Sequence, residues 1–189
     1  MKAADILVVC TANICRSPVG AAMLQNAVAG SGILVGSTGT HAVTGRRPVP
    51  EAVEYVHRRT GVVLQGEGTQ LTRRRAEAAG LILTMSEAQR TFVAQCAPSS
   101  LRRVFTLRQF VRIVPWLPDG ATFPSVVAIA EAAARCRALI GPDMVIGDDI
   151  EDPYGAAPEV YQRSFSIIED AVSLTAAVLL SRVRPRSEQ

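Results

Sequence analysis

The sequence predicts an α/β fold, a three-layer α/β/α sandwich built on a four-stranded parallel sheet. Short apolar runs of strand length alternate with stretches of helical period. The first run, Ile6 to Val9, is continuously apolar, as in a strand covered on both faces. The resulting order β-α-β-α-β-α-β-α suits parallel strands joined by helical crossovers.

Taken in order, Ile6 to Val9 is the first strand. Ser17-Pro18 then opens a helix: serine caps a first turn, proline is tolerated at its first position, and the Ala-rich stretch that follows ends at Gly30. Ile33 to Val35 is the second strand and Glu51 to Arg59 a helix. Leu81 to Leu83 is the third strand, followed by a helix that Ser86 caps and Pro98 closes. Val104 to Leu107 is a weaker fourth strand, and Ala130 to Ile140 and Glu159 to Leu180 are the later helices. The Arg73 to Arg75 triplet and the arginine doublets are expected on solvated faces.

A chain of 189 residues, 48% hydrophobic and 20% charged, supports one core and therefore one domain over 1–189, with a frayed basic tail at 183–189. A net charge of +3 fits an anionic substrate and gives no reason to expect nucleic acid. Cysteines at 10, 15, 96 and 136 have neither disulfide-scaffold density nor zinc-site spacing, so no metal or other cofactor is expected and a reducing compartment is. The start has no secretory h-region, and no run reaches the ~18 apolar residues of a membrane span. The expectation is a cytoplasmic protein with no membrane contact.

The chemistry concentrates after the first strand, in Cys10, Thr11, Ala12, Asn13, Ile14, Cys15, Arg16, Ser17 and Pro18. A thiol and a guanidinium stand six positions apart across a tight strand-to-helix turn. Backbone N–H groups from Thr11 to Ser17 are expected to face an anion, helped by the helix dipole, with Arg16 clamping two oxygens. The same field favours a thiolate at Cys10, which the Ser17 hydroxyl is placed to hydrogen-bond. Asn13 is expected to tie down the loop, although turn preference alone explains an asparagine there. Spacing alone does not decide, because Cys96 to Arg102 repeats it. That copy begins at a helix end, contains a proline and lacks a preceding strand, so Cys96 is expected to be a buried helix-end thiol. His41 and His57 lack partners at useful spacing and are expected to be structural.

Phosphoryl transfer to a thiolate also needs an acid for the leaving oxygen. Candidates cluster at Asp148, Asp149, Glu151 and Asp152; Asp152 is preferred because Pro153 stiffens its loop and Tyr154 offers an aromatic surface to the leaving group.

Ile6 to Pro18, ILVVCTANICRSP, resembles the signature of the low-molecular-weight protein tyrosine phosphatases, a family sharing fold and loop with thioredoxin-coupled arsenate reductases and bacterial protein-arginine phosphatases. Ser37-Thr38-Gly39-Thr40, LILTMSEAQR and Asp152-Pro153-Tyr154 resemble further stretches of it. The resemblance implies a nucleophile at Cys10, phosphoryl binding by Arg16, a proton donor at Asp152, and a phosphorylated protein as substrate of a monomer or weak dimer. It also implies that Cys15 can form a protective disulfide with Cys10. The chain departs from the pattern in three places. Ala12 replaces a common glycine, so that position is expected not to need positive φ. HAVTGRRP after Thr40 lacks the aromatic residue that often walls the pocket. The stretch 108–147 is longer than the family core, and its helix either covers the site near the acid loop or extends the core.

Arsenate reductases place a further cysteine directly after the third strand, where this chain has Met85. Protein-arginine phosphatases favour a smaller polar residue at Ile14, whose branched apolar side chain suits an aromatic phosphoester better than a guanidinium. A silent phosphate-binding module is the remaining alternative, and it would have no use for Asp152.

Overall fold

The computed structural model describes residues 4–140 and 147–184. The sheet has four parallel strands in the order β2-β1-β3-β4: β1 (Ile6–Cys10), β2 (Val35–Gly39), β3 (Leu81–Thr84) and β4 (Val104–Thr106). The chain leaves β1 towards β2 and returns to its other side as β3, so Cys10 stands at the carboxyl end of the central strand where the winding reverses. That is the ligand position of open α/β sheets.

Alternating side chains make the layers. Ile6, Val8, Leu81, Leu83 and Phe105 face one core with helices α1 (Arg16–Ala27), α2 (Pro50–Thr60), α5 (Leu107–Ile113), α6 (Val126–Ile140) and α7 (Pro158–Arg182). Leu7, Val9, Ile82 and Val104 face the other, with α3 (Arg73–Ala78) and α4 (Glu87–Cys96). Continuously apolar strands are the consequence of two covered faces.

Several boundaries differ from expectation for identifiable reasons. β2 runs Val35–Gly39 instead of Ile33 to Val35, because the polar half of this edge strand supports the loop after β1. Leu107 is the first residue of α5, since the Thr106 hydroxyl accepts the Gln109 N–H at 3.0 Å and caps a helix there. The arginine triplet opens α3, a helix capped by Thr72. Ser86 caps α4 as expected.

α6 begins at Val126 and buries Ile129, Ala130 and Ala133 in the larger core. It packs against α5, β3 and the 3₁₀ turn Pro98–Arg103, the packing of a core extension. At the start of the tail Val183 lies opposite Phe123 in a parallel bridge, in which the Phe123 N–H donates to Arg182 O at 2.7 Å and the Arg184 N–H to Phe123 O at 2.9 Å; 185–189 lie outside the described residues, as do 141–146 of the long stretch.

By length and composition α7 could cross a membrane, although no such span was expected from the sequence. Its Tyr161, Phe165, Ile168, Val172 and Leu179 recur at helical spacing and are buried, and the helix packs along α1.

α2 is fastened to α7 by Tyr55, whose hydroxyl donates to Glu169 Oε2 at 2.5 Å while Arg59 Nε stands 3.2 Å from the same oxygen. Burial, then Glu169, pushes the phenol up to about 12. A raised folded-state value stabilises below the ordinary phenol pKa, and the gain is lost as pH climbs through the folded one. Tyr55→Phe is therefore expected to cost roughly 1.5–3 kcal/mol near neutrality, shrinking above about pH 10. Urea unfolding of both proteins across that range measures it, and equal stability at neutral pH would refute the linkage.

Candidate active site

Between Cys10 and α1 the chain turns tightly. Amides from outside the turn draw four of its carbonyls outward: Thr40 to Cys10 at 2.9 Å, His41 to Thr11 at 2.9 Å, Val43 to Ala12 at 3.0 Å and Val49 to Ile14 at 2.8 Å. A trans peptide plane points its N–H opposite its C=O, so amides following those carbonyls face the concave side. The Asn13 amide shows the outcome, donating to Cys10 Sγ at 3.3 Å.

Asn13 has φ 57°, the sole positive value for a non-glycine among the described residues. Its side chain holds that conformation by three bonds: Oδ1 accepts the Thr69 N–H at 2.8 Å, and Nδ2 donates to Ser17 Oγ at 2.9 Å and Ser37 Oγ at 3.0 Å. Asparagine tolerates the left-handed region better than most residues. Ala12 needs no positive φ, as expected; the special conformation falls one residue later.

Ser17 is not the helix cap the sequence suggested. α1 starts one residue earlier, at Arg16, with no side-chain cap. The hydroxyl lies 3.0 Å from Cys10 Sγ instead. Because it accepts from Asn13, its own proton is available for the sulfur or for the Thr38 carbonyl at 3.4 Å.

Arg16 is 4% exposed and faces the loop after residue 147. Its Nη1 donates to Ile150 O at 2.9 Å and its Nη2 pairs with Asp152. Its Nε is buried without a hydrogen bond to any described residue. Of the four candidate carboxylates, Asp152 is the one paired with Arg16. Asp149 accepts the Glu87 N–H at 2.8 Å, Glu151 pairs with Arg163 at 3.1 Å, and Asp148 is buried against Arg112. Asp152 is half-exposed, and its Oδ1 accepts the Tyr154 N–H at 3.3 Å. Tyr154 stands 52% exposed.

Cys15 is buried, and burial first, then the negative charges of Cys10 and Asp152, raises its thiol pKa. Both loop cysteines are free thiols. Cys96 ends α4 as expected but is half-buried rather than buried. His41 packs against Phe92, with ring centroids 5.1 Å apart.

Long-range supports were beyond sequence reasoning. Gly39 lets β2 approach the loop: a Cβ there would stand 2.4 Å from Thr11 O. Gln89 joins the Cys10 loop to the end of β3, donating to Thr11 Oγ1 at 3.1 Å and accepting the Met85 N–H at 2.9 Å. On the far side α5 clamps the entry to the acid loop. Arg108 donates to Gly147 O at 2.6 Å, and one turn later Arg112 pairs with Asp148 Oδ1 at 2.5 Å. Burial pushes the Asp148 carboxyl up while Arg112 pulls it down.

Residues 5–116 match the family described as low molecular weight phosphotyrosine protein phosphatase. The chain is 37% identical over 142 residues to a protein of Ralstonia solanacearum named probable low molecular weight protein-tyrosine-phosphatase EpsP, covering 71% of this chain and 97% of that one. It is 28% identical over 174 residues to a protein-arginine-phosphatase of Geobacillus stearothermophilus, covering 92% and 95%. Among solved structures, Vibrio vulnificus Wzb in complex with benzylphosphonate shares the fold at TM-score 0.67 and 23% identity, covering 91% of this chain and 96% of that one.

Removing Arg112 from the α5 clamp leaves the buried Asp148 carboxylate with only the weaker pull of Arg108. Arg112→Met is expected to destabilise by about 3–5 kcal/mol at neutral pH, less in acid where Asp148 takes up a proton, with most of the loss recovered by adding Asp148→Asn. Thermal unfolding of the two variants checks this; a double variant no better than the single would contradict it.

Proposed function

The chain belongs to the low molecular weight phosphotyrosine protein phosphatase family, and on that premise we propose that it hydrolyses aryl phosphate monoesters, phosphotyrosine in proteins foremost, through a cysteinyl-phosphate. The observation that carries the reading is a loop whose inward amide and Ser17 hydroxyl converge on Cys10 Sγ while its arginine reaches Asp152.

In the first step Cys10 Sγ attacks phosphorus. The S–P bond forms as the ester P–O bond breaks, and Asp152 gives its proton to the departing phenolate oxygen. Inward amides and Arg16 take up the charge on the non-bridging oxygens, for which the unbonded Arg16 Nε is a ready donor. In the second step water attacks phosphorus and Asp152 accepts its proton. The S–P bond breaks, returning inorganic phosphate and the thiolate, and the Ser17 hydroxyl stabilises that thiolate in both steps.

The proposed setting is cytoplasmic, with the whole chain acting as one phosphatase domain, as a monomer or weak dimer, on a phosphorylated protein. Tyr154 is proposed to line the pocket for the aromatic ring. The arginine-phosphatase reading draws on the relative from Geobacillus stearothermophilus. Against it stands Ile14, a branched apolar side chain buried in the core behind the loop, where it gives a guanidinium no polar partner.

Hydrolysis of an aryl phosphate, a phosphotyrosine peptide and a phosphoarginine peptide by the wild type, Cys10→Ser and Asp152→Ala tests the proposal. Expected are preference for phosphotyrosine, background turnover by Cys10→Ser, and a loss of about 100- to 10,000-fold for Asp152→Ala. Preference for phosphoarginine would transfer the chain to the second reading. Binding without turnover in the wild type would make it a phosphate-binding module.

A further inference from the structure

The strap after β2 carries charge that the reaction does not use. His41 and Val43 fasten it to the carbonyls of Thr11 and Ala12. It turns at Gly45, φ 79°, and is fixed again at Arg46, whose N–H donates to Val43 O at 3.1 Å and whose carbonyl accepts the Gly68 N–H at 2.8 Å. Arg46 is exposed, but its backbone is anchored to the rim of the Cys10 loop.

From there the guanidinium crosses to the acid loop and lies 5.8 Å from the ring centroid of Tyr154. Three other arginines around the site are matched by carboxylates: Arg16 with Asp152, Arg90 with Glu87 at 2.6 Å, and Arg163 with Glu151 at 3.1 Å. Arg46 and the adjacent exposed Arg47 form no ion pair with any described residue, and residues 41–48 contain no acid.

We propose that Arg46 selects substrates with an acidic residue beside the phosphorylated tyrosine. An exposed cation–π contact is weak, so a carboxylate that offers charge-assisted hydrogen bonds competes for the guanidinium on favourable terms. The exchange also frees the Tyr154 face for the incoming aromatic ring. Arg46 occupies the stretch where an aromatic wall is missing from the sequence, so an ionic contact to the flanking peptide does part of the work of holding substrate. The contact is solvent-exposed, which makes its effect modest and salt-sensitive.

This proposal rests on the phosphotyrosine reading, and its test separates the two. The measurement is kcat/KM for two phosphotyrosine peptides that differ only in Glu or Gln flanking the phosphotyrosine, beside a small aryl phosphate. The wild type is expected to favour the Glu peptide about three- to fivefold at low salt and less than about twofold at ~0.5 M salt. Arg46→Gln is expected to bring the ratio to about one, Arg46→Glu to invert it, and Arg46→Lys to retain most of it. Because each value is a ratio within one protein, partial loss of folded enzyme cancels. Equal wild-type rates on the two peptides, or a ratio unmoved by Arg46→Gln, would overturn the Arg46 proposal while leaving phosphatase activity intact. No turnover of the aryl phosphate or of either peptide by the wild type would overturn the underlying reading.

Discussion

A loop can offer its N–H groups to an anion only if its carbonyls find hydrogen bonds elsewhere, since buried backbone groups left unpaired are costly. The turn after β1 meets this constraint with donors from the 40–49 segment, and the neighbouring structure follows from the arrangement. β2 must pass close enough to supply them, which demands glycine at position 39 and makes its second half polar. Asn13 must adopt a left-handed conformation, which its bonds to Thr69, Ser17 and Ser37 enforce. Asn13 orients Ser17, and Ser17 faces the thiol, so a distant amide at Thr69 is linked to the sulfur through two side chains.

The opposite wall is organised by charge. A buried guanidinium needs partners, and Arg16 finds them in the Ile150 carbonyl and Asp152. The acid loop is in turn held from below by Met85, which accepts the Ile150 N–H at 2.8 Å, and at its entry by Arg108 and Arg112. Candidate acid and candidate phosphate binder are therefore positioned by each other, on a loop tied to both β3 and α5. An arriving phosphoryl group would compete with Asp152 for Arg16, and in doing so release the carboxyl group toward the leaving oxygen.

Local signals in the sequence are sufficient for the parallel sheet and the loop after β1, whereas Asp152 stands out from its acidic neighbours through the family resemblance, and the structure pairs it with Arg16. Ile6 to Val9 is apolar on both sides because both faces are covered, and Cys10 to Pro18 compresses strand end, turn and helix start into nine residues. What could not be read depends on contacts between distant segments. Ser17 resembles a cap in isolation, and only the folded loop shows its hydroxyl committed to Cys10. β2 was displaced because its apolar residues precede the strand, while its working residues are Ser37, Thr38 and Gly39. Arg73 to Arg75 open a helix whose cap is one residue earlier, a local signal that the charge run obscured. The roles of Gln89, Thr69 and the Arg112–Asp148 pair have no local sequence signal, because each joins segments tens of residues apart.

The most direct test is to quench the enzyme during turnover of a phosphorus-labelled aryl phosphate and map the label. The mechanism predicts a phosphate on Cys10 with the lability of a thiol phosphate, lost in mild acid and retained in alkali, accumulating further in Asp152→Ala when the leaving group is good enough not to need protonation. Label on another residue, or turnover with no label on Cys10 under conditions where hydrolysis of the intermediate limits the rate, would contradict the account.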